Sequence, residues 1–129
     1  MIKQKAVLET ITPNFGHSFT LQRFDTLRPN KAMNWHYHPE IELVYLNGGS
    51  GKRQIGSHVS YFREGDLLLI GSNLPHCGLS NALTNSKSET VIHLRADFLG
   101  NDFFNLPEVK KIQNLFDLAK KGLSFYGST

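Results

Sequence analysis

Apolar side chains in the first 98 residues come in short bursts broken by Gly, Pro, Asn and Ser, a rhythm that fits many short strands and leaves no room for a long helix. The bursts occupy residues 6–11, 19–24, 41–46, 53–55, 59–62, 67–70 and 91–98. This part of the chain is therefore expected to be β. Gly56-Ser57 offers a glycine that takes positive φ, so the bursts on either side of it are expected to form a hairpin. Residues 47–51 read as a second, looser turn, and residues 80–88, where Asn, Thr, Ser and Lys dominate, as an exposed loop. Gly48, Gly49, Gly51 and Lys52 do not make a phosphate-binding loop, because Leu46 and Arg53 stand where that pattern needs Gly and Ser or Thr; a hairpin turn accounts for the glycines.

After Leu99 the period becomes helical. Val109, Ile112, Leu115, Phe116 and Ala119 fall on one side, and Lys110, Lys111, Asn114, Asp117, Lys120 and Lys121 on the other. Asn105 is placed to be the N-cap, Pro107 fits the first turn, and Lys120, Lys121 and Gly122 suit the end, so the helix is expected over about 106–121. Its apolar stripe either packs on the core or forms a seam with a second subunit. The remaining GLSFYGST carries three apolar residues with nothing after them to pack on, as a domain cut from a longer chain would.

With 129 residues, 40% of them hydrophobic, the chain reads as one domain over 1–129. A domain of this size buries roughly two thirds of the surface of its unfolded chain, so it folds without a metal or a disulfide. Any metal site then serves function. The net charge of +3 shows no clustered basicity, which argues against direct DNA binding. Cys77 is the one cysteine, so no internal disulfide forms. The start lacks the apolar run of a signal peptide, and no apolar run approaches the ~20 residues that span a bilayer. A cytoplasmic location without membrane contact is expected.

The chemistry concentrates in WHYHPEIELVYLNGG, residues 35–49. If one strand runs through Pro39, then His36, His38, Glu42, Val44 and Leu46 share a face, since side chains alternate. His76 follows the burst at 67–70 and a turn. Should these strands meet, three imidazoles and a carboxylate converge, a set suited to a divalent first-row metal. His36, His38, Glu42, Val44 and His76 would then line a ligand pocket. His17, His58 and His93 read as ordinary surface or half-buried residues, and Cys77 as a packed thiol.

HxHxxxExxxxxxG, here His36, His38, Glu42 and Gly49, resembles the first motif of the cupin superfamily, and the Gly65 to His76 spacing resembles the second. The leading Gly of the first motif falls at Asn30, and the Pro, Gly and Asn of the second fall at Gly71, Asn73 and Ser80. More specifically, HYHPEIELVYLNGGSGKRQIG, FREGDLLLIGSNLPH and RADFLGNDFFNLPEVKKIQNLFDLAKKGLSFYG resemble the N-terminal sensor half of AraC/XylS-type transcription regulators over about residues 15–127. That resemblance implies a mainly β, cupin-like double-stranded β-helix, a jelly-roll barrel over about 5–99, followed by a C-terminal amphipathic α-helix. It implies a homodimer whose barrel binds a small effector, a sugar or another metabolite. DNA would be read only by helix-turn-helix units that would lie C-terminal to this chain.

Two functions follow as expectations. One is an effector-sensing and dimerisation domain, not an enzyme, in which the four polar residues line a pocket with or without a divalent metal. The other is a small metal-dependent cupin enzyme, an oxygenase or isomerase, holding Zn, Ni, Fe or Mn at His36, His38, Glu42 and His76.

Overall fold

The segment Ile41–Asn47 shows why the chain folds in layers. Its side chains alternate: Glu42, Val44 and Leu46 are buried on one face, while Ile41 and Leu43 on the other lie under a helix. Such a strand needs cover on both sides, and the fold supplies it for all but Tyr45, which stays 49% exposed on the outer face.

The structure, a computed structural model, describes residues 5–25, 27, 35–78 and 88–127. Within these lie the strands β1 (Val7–Leu8), β2 (Phe19–Phe24), β3 (His36–Tyr37), β4 (Ile41–Asn47), β5 (Gly51–Ile55), β6 (His58–Phe62), β7 (Asp66–Ile70), β8 (His76–Gly78), β9 (Ser88–Leu94) and β10 (Leu123–Ser124). They form two five-stranded sheets, one in the order β1-β3-β8-β5-β6 and the other β10-β7-β4-β9-β2. Every pairing is antiparallel except β1 with β3. No strand pairing among the described residues joins the two sheets, so the fold is mainly β without a closed barrel wall.

One apolar cluster lies between the sheets: Val44, Leu46, Leu68, Ile70 and Val91 come from the second sheet and Phe62 from the first. Each such burial contributes about 1.5–3 kcal/mol. A second cluster covers the opposite face of the second sheet, where Ile41 and Leu69 meet Ala119, with Leu43, Leu94, Leu115, Phe116 and Leu123 around them. The element above that face is a helical run: a 3-10 turn (Pro107–Val109), an α-helix (Lys110–Leu118) and a second 3-10 turn (Ala119–Lys121). It sits close because Gly71 has no side chain. A Cβ there would lie 2.6 Å from the Ala119 carbonyl oxygen, which instead accepts a 2.8 Å hydrogen bond from the Gly71 N–H.

Several expectations are corrected. The strand through Pro39 is broken: His36–Tyr37 belongs to the first sheet and Ile41–Asn47 to the second, because Pro39 cannot donate to a ladder and the chain turns a corner there. The turn at 47–51 is not a hairpin, since it carries the chain from β4 in one sheet to β5 in the other. The hairpin at Gly56-Ser57 is present, with Gly56 at φ 58 and Ile55 opposite His58. Asn105 does not cap the C-terminal helix. Pro107 holds the residue before it extended, so Leu106 takes the cap position, and Asn105 instead ends a short helix, Asn101–Phe104, that the periodicity did not reveal. The tail finds a partner: Leu123 pairs with Leu69, extending the second sheet. The loop expected at 80–88 lies outside the described residues except for Ser88, which is buried and opens β9.

Candidate metal centre

Strand register brings the polar residues together in two cross-strand pairs. In the first sheet His36 stands opposite His76, and in the second Glu42 stands opposite His93. His38, at the corner between β3 and β4, sits with its ring centroid 5.1 Å from that of His76 and 4.9 Å from that of His93. All five side chains are buried, His38 most completely, at 1% exposure.

Glu42 is the hub. Its Oε2 lies 2.8 Å from His38 Nε2, 3.0 Å from His76 Nε2 and 3.2 Å from His93 Nε2. Burial pushes the carboxyl pKa up, and these three hydrogen bonds outweigh it, holding Glu42 well below the ordinary carboxylate value of 4.5. His38 shows the reciprocal effect: burial lowers its pKa, but the Glu42 carboxylate raises it further, to a net value above 6.5. His36 is held below 6.5, by burial first and then by the neighbouring His76.

The other ring nitrogens decide what the site is built to hold. His38 Nδ1 faces the Glu40 carbonyl at 3.0 Å, and His76 Nδ1 faces the Leu74 carbonyl at 2.7 Å. Carbonyl oxygens only accept, so both Nδ1 atoms carry hydrogen. In the neutral rings the Nε2 lone pairs then aim at a carboxylate oxygen, and two electron-rich atoms meet head on. A cation between them removes the conflict. It is either a proton, making the rings imidazolium, or a metal ion that takes the Nε2 lone pairs while backbone carbonyls orient the rings.

The geometry fits a metal. One ligand atom from each of His36, His38, Glu42 and His76 lies within 4.8 Å of the others. Ligand atoms ~2.1 Å from an ion are ~3.4 Å apart at tetrahedral angles and ~3.0 Å apart at the ~90° of an octahedral site, and the 2.8 and 3.0 Å contacts of His38 and His76 with Glu42 match the octahedral spacing. These four residues could hold a divalent ion. Two carboxylates stand beside them. Glu9 Oε2 is 3.3 Å from His36 Nε2, with its side chain 29% exposed, and Glu40 Oε2 is buried with no hydrogen-bond partner among the described residues, 3.9 Å from His38 Nδ1.

The remaining site residues fall elsewhere. Val44 packs into the apolar cluster between the sheets. Of the helix stripe, Leu115, Phe116 and Ala119 face the second sheet, Val109 is half-buried and Ile112 is exposed. A cavity of about 580 Å³ opens on the outside of the corner, lined by Pro39, Asn73, Arg95, Asn101 and Gln113 among others, and none of the expected pocket residues borders it. Cys77 is buried, and burial pushes its thiol pKa up, as for a packed thiol.

His93 and Glu9 belong to the cluster and were not expected there. For His93 a signal existed: it shares strand parity with Val91, a core residue. Glu9 offered none, since its approach to His36 depends on β1 pairing with β3. In comparisons with protein-family models and with curated proteins, no family and no individual protein matches the chain.

Proposed function

We propose that this chain is the effector-sensing and dimerisation domain of an AraC-type transcription regulator, a cupin-like jelly-roll that binds a small molecule at a divalent metal, Zn, Ni, Fe or Mn, held by His36, His38, Glu42 and His76. The observation that carries the metal reading is the pinning of two imidazoles by backbone carbonyls so that their Nε2 atoms meet one carboxylate oxygen. The regulator reading is supported by the resemblance of three segments across residues 15–127. An effector that ligates the ion would favour one arrangement of the dimer over another, and a DNA-binding half elsewhere in the regulator would read that shift. In this reading the protein works in the cytoplasm and touches DNA only through that other half.

A second reading, a metal-dependent cupin enzyme, is favoured by Glu9. A partly exposed carboxylate beside a ligand could move a proton during turnover.

The test begins with metal analysis of the protein purified without chelator, then re-titration after chelation, alongside His38→Ala. One ion per chain that His38→Ala loses supports the site; no uptake at neutral pH ends the metal site and with it the enzyme reading, and leaves the sensor to stand or fall on effector binding. The loaded protein is then titrated with a metabolite panel. Saturable binding without consumption, together with a concentration-dependent dimer in sedimentation, supports the sensor. Catalytic consumption of a panel member, lost in Glu9→Gln, supports the enzyme.

A further inference from the structure

We infer that His93 is a positioning residue of the metal centre and not one of its ligands: held as the Nε2–H tautomer between the Thr20 hydroxyl and the Glu42 carboxylate, it donates to Glu42 Oε2 and aims the carboxylate at the ion. This inference rests on the metal reading above.

The sorting comes from what each Nδ1 faces. His38 and His76 face carbonyl oxygens, which force hydrogen onto Nδ1 and leave the Nε2 lone pair for an ion. His93 Nδ1 faces Thr20 Oγ1 at 3.2 Å, and a hydroxyl has a proton to give. The hydroxyl can give or accept, so His93 Nδ1 is free to accept, and the carboxylate oxygen of Glu42, which only accepts, then places the hydrogen on Nε2, 3.2 Å away. A nitrogen that carries hydrogen has no lone pair for a cation. It orients the ligand that does bind, as second partners of metal ligands do.

Register makes this arrangement rigid. Thr20 stands directly opposite His93 across β2 and β9, and His93 directly opposite Glu42 across β9 and β4. The three side chains form one row across three adjacent strands of the second sheet, so each is aimed by the ladder that carries it. His93 is 7% exposed, which leaves its ring little freedom to turn away.

The experiment titrates the chelated full chain with Co²⁺, read by its visible absorption, and with Zn²⁺ in competition, for wild type, His93→Ala, His93→Gln, Thr20→Val and His76→Ala. Wild type is expected to bind one ion. His93→Ala is expected to bind one ion about 10–100-fold more weakly with the Co²⁺ bands in place, because the ligand set is intact. The glutamine side chain keeps an N–H and is expected to recover most of the affinity, while Thr20→Val loses some in the same direction. His76→Ala is expected to lose the wild-type bands. Unchanged affinity in His93→Ala overturns the inference, as do a changed Co²⁺ spectrum, which would make His93 a ligand, and failure of His93→Gln to recover affinity when its metal-free melting matches wild type. No uptake by wild type refutes the metal reading itself, whereas uptake by wild type with His93→Ala unaltered refutes the positioning role alone.

Discussion

Replacing Glu42 by Gln separates its role as a metal ligand from its role as a buried anchor. The amide nearly matches the carboxylate in shape but carries no charge. In the metal-free protein the change is expected to cost little: the amide NH₂ can donate to the Nε2 lone pairs of neutral His38 or His76, whose hydrogens are held at Nδ1, and the amide oxygen can accept from His93. The unloaded variant is therefore expected within ~1 kcal/mol of wild type, roughly 4 °C in Tm for a chain of this size. Glu42→Ala leaves the buried Nε2 atoms of His38, His76 and His93 without their common partner and is expected to cost ~3 kcal/mol or more, since each buried polar atom left unpaired costs ~1–3 kcal/mol. Metal affinity behaves in the opposite order. A divalent ion and a carboxylate oxygen ~2.1 Å apart attract by ~4 kcal/mol even at the dielectric constant of water, and ~1.4 kcal/mol is tenfold in affinity. Part of that is offset because the wild-type carboxylate gives up hydrogen bonds, so Glu42→Gln is expected to weaken binding by ~10²–10³-fold. The assay pairs thermal melting in chelator with Zn²⁺ titration of the same samples. Affinity within about threefold of wild type would mean that the carboxylate is not a ligand, and a Gln variant as unstable as Ala would mean that Glu42 is a structural anchor alone.

Urea midpoints of the metal-free protein followed against pH in chelator are expected to drop below about pH 4.5, because the depressed Glu42 contributes stability that is full above 4.5 and lost as pH falls through its lower folded value. Near neutral pH two histidines oppose each other: the raised His38 contributes stability that is full below 6.5 and lost as pH climbs through its higher folded value, while the lowered His36 costs stability as pH falls below 6.5; midpoints that hold steady from about pH 4.5 down to about pH 2 would contradict the role of Glu42. Arg53 and Asp66 form a buried ion pair, and burial pushes the Asp66 carboxyl up by more than Arg53 pulls it down, so the pair is costly to assemble. Asp66→Ala is expected to lose ~3–5 kcal/mol in urea unfolding, while the double change Arg53→Met with Asp66→Leu is expected near wild type; a double variant as weak as the single would refute that. On the C-terminal helix, Leu115→Ala is expected to cost ~2 kcal/mol and Ile112→Ala no more than ~0.5 in the monomer, because only the first packs on the second sheet. Equal losses by chemical denaturation would show that the stripe packs differently.

How much could be read in advance depended on the range of each interaction. Short strands, the Gly56 turn and the amphipathic run ending near Gly122 are local: two-residue and 3.6-residue periods and a glycine at positive φ act within a few residues. The Asn105 cap failed for a local reason as well, because Pro107 displaced it by one residue. For the site, His36, His38, Glu42 and His76 were legible as a spacing of ligand types, but the argument that joined them, one continuous strand through Pro39, was wrong. They converge because the chain changes sheets at that proline and the two sheets face each other.

By itself, then, the sequence determined the alternation of faces along each short strand and which residue types are at hand to hold an ion. Tertiary structure alone decided which strands are neighbours, and with that the partners of each inward group. That choice put His93 opposite Glu42 and Thr20 opposite His93, and it brought Glu9 to His36 through pairing of β1 with β3. Alternation along a strand specifies a face but never a partner, since the partner is set by hydrogen-bonded register with segments distant in the chain. Register sets Thr20 against His93, whereas the carbonyls that face Nδ1 of His38 and His76 belong to residues only two positions away along the chain.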